Sequence, residues 1–382
     1  MREYIAEKYR GQKATLSLDT DALKAFDDVI DLSIGDTDFV TDTRIIHAAM
    51  EDAERGYTRY GEPQGDPELI NAIQKAWFED FHQNLNRDDI LVTASSCMGM
   101  QLALMATLNP GDEVLVLGPY FGVYAQQIAV AGGVCVEVPT DAKHGFCIVE
   151  DSIERAVTDR TRGIIVNTPC NPTGSALSLD DMKKLAVICT RHDLLIYADE
   201  IYTRYLYDGV FIPMRTLEGM AERTITLNSF SKNFMMTGWR VGYAIAPRPV
   251  RETMQMISGG MTYTTPSISQ RAALHALPLR HEIEENVISV YRERVMEAAD
   301  ALEHMPFVEI VRPRGTFYLF PDIRKTGMTS TELTAYLLEK AHILVSPGNA
   351  FGKSGEGHIR IAVTQDSEKI REAMRRMKAL TF

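Results

Sequence analysis

A lysine set among small hydroxyls, Ser229-Phe230-Ser231-Lys232, with Arg240 eight residues later, is the stretch of this sequence best suited to chemistry. A neutral lysine amine is a nucleophile that condenses with aldehydes, and an arginine fork grips phosphate oxygens in pairs. Asp199 in Tyr197-Ala-Asp-Glu-Ile-Tyr202 adds a carboxylate and, three residues on, a phenol. Upstream stands Asn167-Thr-Pro-Cys-Asn171-Pro-Thr-Gly174, and downstream His358-Ile-Arg360. Alone, each segment reads as an ordinary turn, cap or salt-bridge residue; four in fixed order are a far more specific signal.

In this order and spacing the segments resemble the fold-type I pyridoxal phosphate (PLP) enzymes of the aspartate aminotransferase superfamily, class I/II. The resemblance runs from about Leu32 to the end of the chain. It implies that Lys232 carries the cofactor and that Asp199 keeps the ring nitrogen protonated. Tyr202 and Asn171 would donate to the phenolic oxygen, and Phe121 would stack on the ring. Ser229, Ser231 and Arg240 would hold the phosphate. Ser95, Ser96 and Cys97, read as ending a strand just before a helix from Met98 to Leu108, either cap that helix or complete the anion seat. Arg360 would clamp the substrate α-carboxylate, and Gly35 would let backbone approach the substrate. Tyr60 would reach the phosphate of a neighbouring subunit, implying a homodimer with shared sites, to which Thr265 is a second candidate contributor. The resemblance names no metal ligand.

The elements that must position these residues follow from pattern. Short β-branched runs at 90–93, 113–117, 134–138, 163–166, 194–197, 224–227 and 241–245 alternate with helical stretches. This predicts an α/β fold with a mostly parallel sheet sandwiched by helices, and ligands beyond the strands' carboxyl ends. Thr43 to Gly56 reads as a helix with a threonine cap and a glycine stop, and Asp66-Pro67 opens another. Past about residue 285 a charged helix, strands near Val308 and from Thr316 to Phe320, and further short elements suggest a smaller α+β domain. The expected division is an N-terminal arm and part of the small domain (1–45), a large PLP-binding domain (46–284) and a small C-terminal domain (285–382).

A formal net charge of -12 argues against nucleic acid and anionic membrane as partners. Five scattered cysteines without a C-x-x-C pair fit reduced thiols, and a charged N-terminus without an apolar run fits a cytoplasmic protein.

The expected activity is transfer of an amino group between an L-amino acid and a 2-oxo acid. Neutral or aromatic donors are favoured, because Cys97 stands where a bacterial branch of aspartate aminotransferases carries a lysine for the distal carboxylate. Phe39, Tyr124, Tyr263 and Phe317 are the matching side-chain candidates, and Arg44 or Arg59 could supply a missing charge. The same motifs would serve a carbon-sulfur lyase or an amino-acid cyclase. A PLP-sensing regulator would need a basic DNA-binding module, which the roughly 30 residues ahead of the first strand of this acidic chain are not expected to provide.

Overall fold

The computed structural model describes Tyr4 and residues 26–382. The expected arm at residues 1–30 therefore lies mostly outside the described residues. After the two-residue strand β1 (Ile30–Asp31) come α1 (Thr43–Glu54) and α2 (Pro67–Phe81). Both helices start on an aspartate: Asp42 accepts from the Arg44 N–H and Asp66 from the Glu68 N–H. The threonine cap expected for α1 is thus corrected to Asp42, whose carboxylate offers a stronger acceptor one residue earlier.

Seven strands form the central sheet: β2 (Ile90–Thr93), β3 (Glu113–Gly118), β4 (Val134–Pro139), β5 (Thr161–Asn167), β6 (Leu195–Asp199), β7 (Thr224–Ser229) and β8 (Gly242–Ile245). Their order is β2-β8-β7-β6-β5-β3-β4. The pairs from β4 through β7 are parallel, and β8 runs antiparallel to both β7 and β2. Every residue of β2, β7 and β8 is buried, as strands covered on both faces should be, including the polar Thr224, Thr226, Asn228 and Ser229 of β7. Edge strand β4 is the most open of the seven. Because β5, β6 and β7 run the same way, Asn167, Asp199 and Ser229 all emerge at one edge of the sheet.

The helix expected from Met98 begins two residues earlier, as α3 (Ser96–Thr107), capped by Ser95. Ser96 and Cys97 are therefore in its first turn, not in the preceding loop. Ser95 pays for this tight exit with a φ of 95°.

In the C-terminal part, β9 (Tyr318–Leu319), β10 (Ile343–Leu344), β11 (Ser346–Pro347) and β12 (Ile359–Ala362) follow the helix Ser289–Glu303. β12 lies between β11 and β9, both antiparallel to it, and β10 pairs in parallel with β1. No strand forms at Val308; Glu309 makes only an isolated bridge to Asp322. The apolar core does not divide near residue 285: one cluster joins Trp77, Tyr202 and Phe230 to Phe317, Ile359 and Met374. Among the described residues no helix is long and apolar enough to cross a membrane.

Candidate active site

Beyond the carboxyl ends of β5, β6 and β7 lies a cleft of about 690 Å³. It is lined by Gly35, Ser95, Ser96, Cys97, Phe121, Asn171, Asp199, Tyr202, Ser229, Ser231, Lys232, Arg240 and Arg360. Thirteen residues singled out from sequence thus converge on one cavity. Tyr60 is not among them: it is 83% exposed and stands edge-on to Tyr263 at 5.0 Å. Thr265 is 5% exposed and its hydroxyl donates to the Val92 carbonyl, so it is committed within its own chain.

β7 ends at Ser229, and the short helix Phe230–Asn233 carries Lys232. Ser229 Oγ accepts from the Ser231 N–H and lies 2.8 Å from Ser231 Oγ, which pins the start of the helix. Lys232 Nζ donates to the Gly35 carbonyl at 2.5 Å. Burial pushes its ammonium down to about 8, despite Asp36 nearby, which raises the fraction of neutral, nucleophilic amine near neutral pH.

Asp199 closes β6. Its Oδ2 accepts from the Tyr124 hydroxyl at 2.5 Å, while Oδ1 is buried without a hydrogen-bond partner among the described residues. Burial raises this carboxyl to about 6, and the hydrogen bond from Tyr124 opposes the rise. A buried carboxylate oxygen facing a cleft with no donor is suited to a cation or protonated ring nitrogen. Asn167 ties the neighbouring strand end to the site, donating to the Asp199 carbonyl and accepting from the Asn171 N–H.

Arg360 on β12 donates to Asn171 Oδ1 at 3.0 Å and to the Ser33 carbonyl at 2.5 Å. Its Nε has no partner, and its guanidinium lies 4.6 Å from the centre of the Tyr318 ring. That leaves a donor free for a carboxylate. At the other end of the cleft, the first turn of α3, Ser229, Ser231 and Arg240 gather hydroxyls, N–H groups and a guanidinium where an anion could sit. Arg240 currently donates to the Thr237 carbonyl at 2.7 Å.

Sequence reasoning missed Tyr318. Phe317 is fully buried and absent from the cleft wall, whereas Tyr318 lines the cleft and its hydroxyl lies 3.0 Å from that of Tyr202. The strand register holds the signal. Ala362 is opposite Tyr318, and Arg360, two residues from Ala362, shares its face. Of the other aromatic candidates, Tyr124 reaches the cleft but serves Asp199; Phe39 packs on Tyr291, and Tyr263 is exposed. Arg44 is held on the surface by Asp42 and Glu282.

Gly35 is required by contact, since a Cβ there would collide with the Tyr318 hydroxyl. Gly35→Ala is expected to cost about 1–3 kcal/mol of stability and to weaken amino-acid binding by displacing Tyr318 from Arg360. Thermal unfolding and KM would report the two effects; an unchanged Tm and KM would contradict the contact argument.

The aminotransferase class I and II family matches residues 27–377 of the chain. An aspartate aminotransferase of Pyrococcus abyssi is 39% identical over 358 residues, covering 92% of this chain and 91% of the relative. An aromatic-amino-acid aminotransferase 2 of Thermococcus litoralis is 37% identical, covering 94% and 93%. The crystal structure of an aromatic aminotransferase from Pyrococcus horikoshii superposes with a TM-score of 0.90 at 38% identity, covering 94% of this chain and 97% of that one.

Proposed function

The chain belongs to the aminotransferase class I and II family and transfers amino groups, and from that premise we propose that it works with PLP on neutral and aromatic L-amino acids, with a 2-oxo acid as acceptor. The observation that carries the cofactor assignment is the unpartnered Oδ1 of Asp199, deep in the cleft that also holds the Lys232 amine.

The residues fit the group. Ser95, Ser96 and Cys97 at the start of α3, with Ser229, Ser231 and Arg240, would hold its phosphate, and Phe121 would lie against its ring. When bound, PLP supplies an aldehyde for amines and a ring that withdraws electrons from the substrate Cα. Asp199 holds a proton on the ring nitrogen, its own charge restored by that pairing. Tyr202 and Asn171 hydrogen-bond the phenolic oxygen. Arg360 binds the substrate α-carboxylate, and Gly35 gives the substrate room against the backbone. Lys232 Nζ would move the proton at the substrate Cα; holding base and C–H in line is worth about 7–11 kcal/mol.

Support for a neutral or aromatic side chain comes from the cleft wall. Among the described residues its cations are Lys232, Arg240 and Arg360, each given other work above, and Ile34, Ile201, Leu344, Val345 and Pro347 form much of the rest. A distal carboxylate would be desolvated there without a partner, at a cost of about 1–3 kcal/mol. The two relatives named above bear the names of different substrates, so the wall carries this choice and the relatives do not. In the test, purified protein loaded with PLP is mixed with aspartate, tyrosine, phenylalanine, methionine and alanine in turn, and loss of the cofactor's visible band is followed. Tyrosine, phenylalanine or methionine should react at least about tenfold more efficiently than aspartate. A preference for aspartate would sink the substrate assignment, and no spectral change with any amino acid would sink the cofactor assignment.

The proposal includes a cytoplasmic homodimer whose large and small domains meet near residue 285 across one shared apolar core, and in which the exposed Tyr60 completes the neighbouring subunit's phosphate site. Mixing Tyr60→Phe with Lys232→Ala subunits should then yield hybrids with one intact site and activity above either parent. Hybrids no more active than the parents would show that Tyr60 is not shared.

A further inference from the structure

We infer that Tyr318 is a positioning residue that fixes the Tyr202 hydroxyl as a donor into the cleft and, through its ring face, holds Arg360 for the carboxylate. The inference rests on the PLP reading above and names a residue that the family resemblance did not supply.

The argument is an accounting of donors. Tyr202 and Tyr318 are 1% and 2% exposed, and their hydroxyl oxygens are 3.0 Å apart. A phenol carries one proton and can accept at its oxygen. In such a pair one proton lies between the oxygens, and the other points elsewhere. The Ser33 carbonyl accepts from Arg360 and Ser346, the Ile34 carbonyl from Thr364, and the Gly35 carbonyl from Lys232. The Tyr318 oxygen is also wedged against Gly35, where even a methyl group would not fit. With these carbonyls each holding a donor, we assign the proton between the two oxygens to Tyr318. The Tyr202 proton is left to point into the cleft, where a phenolic oxygen would receive it, and the bond it accepts strengthens the bond it donates.

The second half concerns Arg360. Its guanidinium lies between the rings of Tyr318 and Phe351, at 4.6 and 4.7 Å from their centres. This fixes the plane of the fork and offsets part of the cost of a buried cation. One side chain thus sets both the donor for the ring oxygen and the orientation of the carboxylate clamp.

Tyr318→Phe keeps the ring and removes the hydroxyl; Tyr318→Leu removes both. A donor to the phenolic oxygen favours the form of the bound cofactor that has lost its proton. Weakening that donor should therefore move the pH midpoint of the cofactor's visible absorbance upward, by about 0.3–0.5 pH unit for Tyr318→Phe. KM for the amino acid should stay nearly unchanged in Tyr318→Phe and rise at least about tenfold in Tyr318→Leu, where the stacking is lost. In a Tyr202→Phe background, Tyr318→Phe should no longer move the midpoint, because its effect passes through Tyr202. A Tyr318→Phe enzyme that binds PLP on Lys232 with an unmoved midpoint would overturn this inference and leave the cofactor reading standing. So would a shift that persists without the Tyr202 hydroxyl. Wild-type protein that acquires no visible band with PLP would overturn both.

Discussion

Replacing Lys232 with alanine is expected to lower amino transfer by at least about 10⁴-fold while leaving the fold intact. In the proposed mechanism the group removed would do two jobs: hold the cofactor covalently and act as the base at the substrate Cα. General-base catalysis alone contributes about 10²–10⁴-fold, and losing the covalent link adds to that. The fold should survive because the Nζ makes a single hydrogen bond, to the Gly35 carbonyl, while the helix start is pinned by Ser229 and Ser231. The amine is also costly where it sits, since burial has brought its proton affinity down to about 8. The variant should therefore be no less stable than the parent below that pH, where the buried ammonium is lost with the side chain. Kinetics, thermal unfolding and borohydride reduction test this together. Reduction should fix a pyridoxyl group on Lys232 of the parent and on no lysine of the variant. A variant retaining more than about a hundredth of the parent's activity would show that another residue moves the proton.

Much of this site was legible from residue order because its parts are strand ends. Asn167, Asp199 and Ser229 terminate three adjacent parallel strands, so reading the strands correctly places their last residues together. Their β-branched runs are buried on both faces and leave little ambiguity of type. What could not be read was contact across the molecule. Tyr124 lies 75 positions from Asp199 yet provides its hydrogen bond. Tyr318 reaches Tyr202 only because β9 pairs with β12, and two-residue strands carry too little pattern to reveal a register. The exchange of Phe317 for Tyr318 is the one-residue ambiguity that a strand's alternating faces create. The early start of α3 has a different cause: Ser95 adopts a positive φ, which no serine advertises in sequence.

Replacing Asp199 with asparagine is expected to act in opposite directions on activity and on stability. In the proposed loaded enzyme the carboxylate would face a protonated ring nitrogen. Breaking a buried pair of this kind costs about 3–5 kcal/mol, which predicts a fall in kcat of roughly 10²- to 5 × 10³-fold. In the cofactor-free protein the same carboxylate is a liability. It is buried, one oxygen lacks a partner, and its pKa is raised from 3.8 to about 6. The folded state therefore holds the proton more tightly than the unfolded chain, so folding stability falls as pH rises from about 4 to 6 and the full cost applies above. The gap between 3.8 and about 6 corresponds to about 3 kcal/mol. Asparagine has a similar shape, can still accept from Tyr124, and carries no charge to desolvate. Denaturant unfolding of cofactor-free protein at pH 7.5 should thus show Asp199→Asn to be the more stable form, by up to about 3 kcal/mol. At pH 4.5 the advantage should shrink to about 1 kcal/mol, because the native carboxyl is then mostly protonated. A variant that is less active and also less stable at pH 7.5 would mean that Asp199 serves the fold and not the cofactor. A variant as active as the parent would remove the carboxylate from the mechanism.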